Sequence, residues 1–535
     1  MNVLNGKPAK KRKHKHAPRT EPKKPPQPLT ESLDQNLSLI HGELVENVDV
    51  TFRYMTNEVR MAVILVEGIV DAGKIDRDLL QTLVKPGFGQ RDNLSGLTGD
   101  ALLTAAADAV PLGMVKTVNT VEAIFSGLFG GSAIVLIEGC SQALAVNVSG
   151  GEQRAVEETT TQTVIRGPKE GFNENLRTNL SLVRRRIKSP KLASKMLLMG
   201  EVTQTEVAMI YLDGIARQEI VDEVYKRLSQ IETDAILDSG YIEEFIQDSS
   251  YSPFPTLINT ERPDVVVGAL LEGKVAVMVD GTPFVLIAPA LFTRYFQSSE
   301  DYYQRADISS FLRIIRFVAF FLSMLLPALY ISITTFHQEM LPTPLLISLA
   351  AQREGVPFPA FIEAILMELT FEVLREAGVR MPRAIGPAIS IVGALVLGQA
   401  AVQAGLVSAA MVIVVSFTAI SNFVVPYISM SISARLIRFA MMILGGSFGL
   451  FGIMSGMMLV LIHLESLRSF GVPYMTPFSP LRLSELKDVL IRAPQWAMIH
   501  RPSTSNPANT KRQSKGQQPL PPQQPEGGGQ EGDGS

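Results

Sequence analysis

Residues 384–434 contain no Asp, Glu, Lys or Arg. One helix needs only about 20 apolar residues to cross a bilayer, so this interval has room for two. The change of solvent begins earlier, at Arg313. Residues 1–312 read as a charged, mixed α/β polypeptide, and residues 314–462 read as membrane. Whole-chain averages hide that boundary, because 46% hydrophobic residues and a net charge of −3 describe neither half. A large soluble half fused to a compact membrane half points to a protein that transmits something across a membrane, not to a soluble enzyme.

Four spans are expected, at 314–336, 385–404, 406–426 and 439–462. Pro327 inside the first predicts a kink. The last carries Gly445-xxx-Gly449 and Gly452-xxx-Gly456, a spacing that either lets helices approach closely or only permits bending. Residues 357–375 are apolar but hold Glu363, Glu368 and Glu372, with Glu376 just beyond. The last three are four residues apart and share one helical face. Carboxylates in lipid are costly. This segment is therefore expected as an amphipathic or re-entrant helix whose acidic stripe faces water or other subunits. Four spans leave both termini on one side, which the basic N-terminal arm and Arg482, Lys487 and Arg492 make cytoplasmic. A fifth span at 358–374 would move the C-terminus out.

The soluble half contains a duplication. VRMAVILVEGIV (59–70) matches TEVAMIYLDGIA (205–216), which sets Ala62 on Ala208 and Glu67-Gly68 on Asp213-Gly214. GSAIVLIEG (131–139) matches GKVAVMVDG (273–281), which sets Glu138-Gly139 on Asp280-Gly281. The offsets are 146 and 142 residues. In each copy an apolar, β-branched-rich run stops at an acidic residue and Gly, which is turn chemistry. Helical patterns follow at 74–84 and 217–231. The second copy closes with apolar runs at 265–271, 275–279 and 284–287, expected as a three-stranded meander. Runs this continuously apolar predict sheets covered by helices.

Catalytic chemistry finds little support. The acid-Gly pairs have no His or second carboxylate at ligand spacing, and no phosphate loop occurs in this half. No catalytic, cofactor or metal set is expected, so no enzyme is. Cys140 is the single cysteine; it excludes an intramolecular disulfide and reads as a small buried hydrophobe. The basic cluster at 10–15 is followed by Pro-rich polar sequence and not by an apolar stretch, so it is not a secretory signal. It reads as a tail that touches anionic lipid, with nucleic-acid binding the weaker alternative.

Between the copies lies RGPKEGF (166–172) and a basic helix at 173–188, with Leu176, Leu180 and Val183 on one face. It reads as a bridge between subdomains, with Arg184, Arg185 and Arg186 as a candidate subunit contact. The expected organisation is a disordered arm (1–34), subdomain 1 (35–165), a helical linker (166–195) and subdomain 2 (196–305). A membrane domain (306–470), a cytoplasmic segment (471–501) and a disordered Pro/Gln/Gly-rich tail (502–535) complete it. The fold class is an α/β soluble half of two duplicated subdomains followed by an α-helical multi-span membrane domain.

The chain resembles the A subunits of the GerA family of spore-germinant receptors over about residues 35–500. The motifs are RGPKEGF, SPFPTLINTERPD (252–264), LLEGKVAVMVDGTPFVLIAP (270–289) and EDYYQR (300–305), then LPALYI (326–331), FHQEMLP (336–342), VPFP (356–359), LREAGVRMPRAIG (374–386) and IVGALVLGQAAVQAGLVS (391–408). The resemblance implies a multi-pass protein of the spore inner membrane. It implies work with a polytopic B subunit and a C-subunit lipoprotein, triggering by nutrients, and homo-oligomers that form an ion-conducting pathway. Under that implication Ser408, Ser416, Thr418, Ser421 and Asn422 become candidate pore-lining residues. Glu368, Glu372 and Glu376 become a candidate acidic pore mouth. The alternatives are serines that only bond neighbouring helices, a non-conducting scaffold, a nutrient-binding module closing between the two copies, and an auxiliary sporulation-channel relative.

Overall fold

A computed structural model describes residues 26–56, 59–84, 99–111, 114–150, 159, 162–381 and 398–519. Two five-stranded antiparallel sheets organise the N-terminal half. The first holds β1 (Val50–Thr56), β2 (Arg60–Val66), β3 (Val115–Val118), β4 (Ser132–Ile137) and β5 (Ala143–Asn147), in the order β1-β2-β4-β5-β3. The second holds β6 (Leu192–Met199), β7 (Thr205–Leu212), β8 (Ile258–Thr260), β9 (Val275–Val279) and β10 (Val285–Ala288), in the order β6-β7-β9-β10-β8. The two orders are the same. So are the registers: Ala62 faces Leu136, and Ala208 faces Met278, residues that the offsets superimpose. Gly68, Gly139, Gly214 and Gly281 all take positive φ, between +74° and +92°, as the acid-Gly turns require.

The helices repeat too. The first unit has α1 (Leu33–Glu43), α2 (Ala72–Lys74, continuing through π-helical Ile75–Leu80 into Gln81–Val84), α3 (Asp100–Ala109) and α4 (Val121–Leu128). The second has α5 (Leu176–Arg186), α6 (Gln218–Ser229), α7 (Ser239–Ile246) and α8 (Pro263–Leu271). Each unit therefore reads α-β-β-α-α-β-α-β-β.

Two expectations change here. The basic helix is not a linker but the first element of the second unit, the counterpart of α1. Asn36 exchanges two hydrogen bonds with the Thr30 backbone (2.8 and 2.6 Å), and Asn179 does the same with Asn173 (2.9 and 2.6 Å). The Glu138 carboxylate accepts from Leu33 N–H at the start of α1 (3.3 Å), and Asp280 accepts from Leu176 N–H at the start of α5 (3.0 Å). The acid-Gly turns that end β4 and β9 thus receive the first N–H groups of α1 and α5.

Residues 265–271 form α8, not a meander strand. Pro263 pre-sets the first helical turn and Asp264 suits its positive end. An unbroken apolar run carries no period that separates helix from strand.

Alternate residues along each strand enter opposite cores. Ala62, Ile64 and Val66 pack with Leu37, Ile40 and Ile124, while Met61, Val63 and Leu65 pack with Leu79, Leu83 and Leu103. In the second unit Val207, Met209 and Tyr211 meet Ile220, Val224 and Ile242. The other face behaves differently. Ala208, Ile210 and Leu212 join Leu176 and Val266, and the same core continues through Phe292, Phe320 and Met324 to Met441.

The C-terminal half is helical: α9 (Ala306–Phe336), α10 (Thr343–Arg353), α11 (Ala360–Arg380), α12 (Ala409–Phe423) and α13 (Ile428–Ser466). Helices α9 and α13 are long and apolar enough to cross a bilayer. Pro327 lies inside α9 without ending it. The break comes at Gly449 of α13, at φ +63° and ψ −145°. A Cβ on Gly456 would meet Met441 Sδ at 2.9 Å, and one on Gly452 would meet the Leu444 carbonyl. In a straight helix residues 441 and 456 would be about 22 Å apart, at a rise of about 1.5 Å per residue. The helix therefore folds back on itself as a hairpin.

The expected span 439–462 contains that reversal. Its glycines pack the two arms of one chain, and Leu450 N–H donates to His337 Nε2 (3.3 Å) beyond the end of α9. Within the span expected at 406–426 lies α12, an apolar helix whose 15 residues fall short of the length of about 20 that a bilayer crossing needs. Most of 385–404 lies outside the described residues, and 398–403 are helical.

Both boundary segments differ from expectation. Residues 1–25 and 520–535 lie outside the described residues, but Leu29 and Leu33, placed in the arm, are buried in the first unit. Part of the expected tail docks on the second unit. Asn506 N–H donates to Ile215 O (2.8 Å) and Asn509 Nδ2 to Gly214 O (3.3 Å). Composition flags the Gln- and Gly-rich end, not these turn-forming Ser, Asn and Pro residues before it.

Candidate functional site

Where the second unit meets the helices, charge is concentrated. The Arg313 guanidinium is buried between Asp301 (2.9 Å) and Asp488 (2.8 Å), and Arg316 shares Asp301 (2.8 Å). Burial pushes the Asp488 carboxyl up, against the pull of Arg313. Arg313, where the sequence changes character, thus ties α9 to the segment before it and to the chain's return.

Deeper in the bundle the acidic residues of α11 meet arginines of the first arm of α13. Glu368 and Arg438 are 3.2 Å apart, at 0% and 1% side-chain exposure. Glu372 reaches Arg375 (2.5 Å), Arg435 (2.9 Å) and Arg438 (3.2 Å). Three guanidinium groups thus meet two carboxylates, which leaves one excess positive charge. Buried in place of water, such a set is stable only while every member keeps its partner. Asn422, with its amide oriented to suit its neighbours, accepts from Arg375 Nη1 (3.1 Å) and donates to Ser431 O (3.2 Å). A cavity of about 570 Å³ opens beside the cluster, lined by Arg262, Arg316, Glu372, Arg375, Asn422 and Arg435.

This corrects the acidic stripe. Glu368 and Glu372 face arginines inside the chain, not water or another subunit. Glu376 alone of the three is exposed, paired with Arg380 at 2.6 Å. Glu363 is fully buried and accepts from Ser408 N–H (3.2 Å) and Oγ (2.5 Å) at the start of α12.

The five candidate lining residues do not share one face. Ser408, Thr418, Ser421 and Asn422 are buried within the chain, whereas Ser416 is exposed in a groove that α12 shares with Leu366 and Thr370 of α11 and with Val402. Thr418 Oγ1 donates back to Val414 O (2.8 Å).

The three arginines of α5 also find partners within the chain. Arg184 is fully buried on Asp49 (2.8 Å), Arg185 donates to Gly150 O (3.1 Å), and Arg186 pairs with Glu170 (2.5 Å). Arg184 is therefore no free subunit contact. It joins the two units, because Asp49 belongs to the first.

Sequence reasoning does not single out Arg435 and Arg438 as site residues. The signal for them exists: two basic residues three apart on an apolar helix match two acidic residues four apart on another. Among the described residues no group of three or more His, Cys, Asp or Glu is placed to hold a metal.

The family model for Bacillus/Clostridium GerA spore germination protein matches residues 38–504. The chain belongs to the GerA family. Spore germination protein KA of Bacillus subtilis (strain 168) is 46% identical over 497 residues, covering 92% of this chain and 90% of the relative. The uncharacterized membrane protein YfkQ of the same organism is 41% identical over 494 residues, covering 92% and 95%. Its description as a membrane protein agrees with the apolar composition of α9 and α13. A crystal structure of the N-terminal domain of the A subunit of the Bacillus megaterium spore germinant receptor GerK3 aligns at 38% identity and a TM-score of 0.40. It covers 50% of this chain and 98% of that domain.

Proposed function

We propose that this member of the GerA family is the A subunit of a nutrient germinant receptor, embedded as a multi-pass protein in the spore inner membrane. Both termini lie in the cytoplasm. Its partners are a polytopic B subunit, a C-subunit lipoprotein, membrane lipid and further copies of itself; nucleic acid is not among them.

One observation carries the reading: a buried Glu368–Glu372–Arg375–Arg435–Arg438 cluster beside the junction with the second unit. Charge among apolar helices is expensive and marks working parts. Here it forms a latch between α11 and α13, beside the point where the second unit's core enters the bundle.

Copies of the chain would assemble around an ion pathway. Of the five candidate lining residues, only Ser416 is exposed, in the groove between α11 and α12, so a pathway would use that side of α12. A second reading, a coupling subunit that conducts nothing itself, is favoured by the arginines that neutralise Glu368 and Glu372.

Spores carrying Glu372→Arg or Arg435→Glu test the latch. Each single change is expected to abolish nutrient-triggered cation release, and the swapped pair to restore part of it. Unchanged release in both single variants at normal protein levels would end the latch reading. Ser416→Asp separates the two pictures. A shifted cation preference supports conduction by this chain, and an unchanged preference and rate leave the coupling subunit.

A further inference from the structure

A second cavity, of about 310 Å³, lies between the second unit and the returning C-terminal segment. Its walls carry Lys274, Arg294, Lys487, Arg501 and Arg512 against Glu272, Glu485 and Asp488. Asp488 is already held by Arg313 at 2.8 Å and Glu485 faces Arg482 at 3.7 Å. Cations therefore outnumber the carboxylates left to meet them.

One cation of the cavity is almost wholly buried, and two further polar groups lack what burial demands. Lys274 is only 3% exposed, on the cavity wall. Arg501 Nε and Thr504 Oγ1 are buried without a hydrogen-bond partner. Leaving such groups unmet is costly. Burial, with Arg294 adding to it, lowers the Lys274 ammonium to about 8 against the pull of Glu272. The arrangement is held in place by the fold. Gly273, at φ +83°, lets Ser505 approach so closely that a Cβ would lie 2.9 Å from it, and Arg501 Nη1 donates to Leu271 O (2.6 Å).

We propose that this cavity binds a small phosphate-bearing anion, held by Lys274, Arg294 and Arg501. A phosphate group offers acceptor oxygens in several directions and so can meet cations on separate walls together with the Thr504 hydroxyl. The volume suits it, at the small end of ligand pockets of about 300–1,000 Å³. Lys274 and Arg294 belong to the second unit and Arg501 to the returning segment, so the anion would fasten one to the other. Through Asp488 that fastening reaches Arg313 on α9. The phosphate could belong to a solute or to a phospholipid headgroup, since α9 begins nearby.

Hydrogen exchange of residues 499–512 in the full-length protein tests this, in phosphatidylcholine nanodiscs with and without inorganic pyrophosphate. At ten times its dissociation constant pyrophosphate should slow exchange about tenfold in the native protein. Lys274→Met and Arg294→Gln should each remove the effect, with β9 exchange unchanged as the sign of intact folding. Slowing by phosphatidylglycerol in the discs, without pyrophosphate, would support the proposal with a headgroup as the source. No response to either, or a response that survives in both variants, would overturn it.

Discussion

The two units are built alike and used differently. In the first, both sheet faces are closed by the unit's own helices, and two separate cores result. In the second, α6 and α7 close the face of Val207 and Met209, and α5 and α8 cover the face of Ala208 and Ile210. The face of Ala208 and Ile210 shares one core with α9 and α13. Duplication supplied two units of one plan, and the core of one runs on into the helical bundle. The charges diverged with the role. Asp34 pairs with Arg60 in the first unit (2.8 Å), and at the superimposed positions Arg177 pairs with Glu206 (3.3 Å), with the signs reversed. The reversal frees Arg177 to reach Glu67 of the first unit as well (2.9 Å), so the same pair now also joins the units.

The largest effect is expected at the join. Arg184→Met would strand Asp49 as a buried, unpaired carboxylate at a cost of about 3–5 kcal/mol. Thermal unfolding followed by hydrogen exchange should show the units separating before either melts; a single transition at the native temperature would argue against a join of that kind. Next come the repeat-equivalent core positions. Leu136→Ala and Met278→Ala should each cost about 2–5 kcal/mol. They should differ in reach: faster exchange confined to the first unit for Leu136, spreading into α9 and α13 for Met278. Equal confinement of both would break the comparison, since the shared core would then carry no coupling.

Much of this plan was legible in the residues. The acid-Gly pairs reported turns because glycine alone takes that φ cheaply, and their spacing exposed the repeat. What failed was whatever depends on a distant partner. The basic composition of α5 masked its identity as a first helix, because its matching residues are scattered: Asn179, Leu180 and Val183 against Asn36, Leu37 and Ile40. The acidic face of α11 was visible by period, but its partners Arg435 and Arg438 lie far along the chain. Hydropathy counted 439–462 as one span because it averages over length and cannot see that Gly449 turns the chain back.

A smaller effect separates the two uses of the reversed ion pair. Arg177→Asp or Glu206→Arg alone should cost about 0.2–1 kcal/mol, as exposed pairs do. The double variant restores the arrangement of the first unit but places the new aspartate against Glu67. It should therefore recover only part of the loss, and the shortfall in a double-mutant cycle measures the contact between units. Full recovery would show that Arg177 serves its own unit alone.

The smallest effect is a pH dependence confined to the second unit. Burial, with Asp238 and Glu244 adding to it, raises the Glu243 carboxyl of α7 to about 7. Folded protein then holds a proton that the unfolded chain has lost, across the range between the ordinary carboxylate value and about 7. Stability should consequently fall as pH rises through that window and level off above it. The counterpart helix α3 contains no glutamate and serves as the reference. Exchange rates of 239–246, corrected for intrinsic chemistry, should rise between pH 5 and pH 8 while those of 100–109 stay level. Glu243→Gln should flatten the first without changing the second. A slope that persists in that variant would place the titrating group elsewhere in the second unit, and a matching slope in α3 would mean that the two units still share this behaviour.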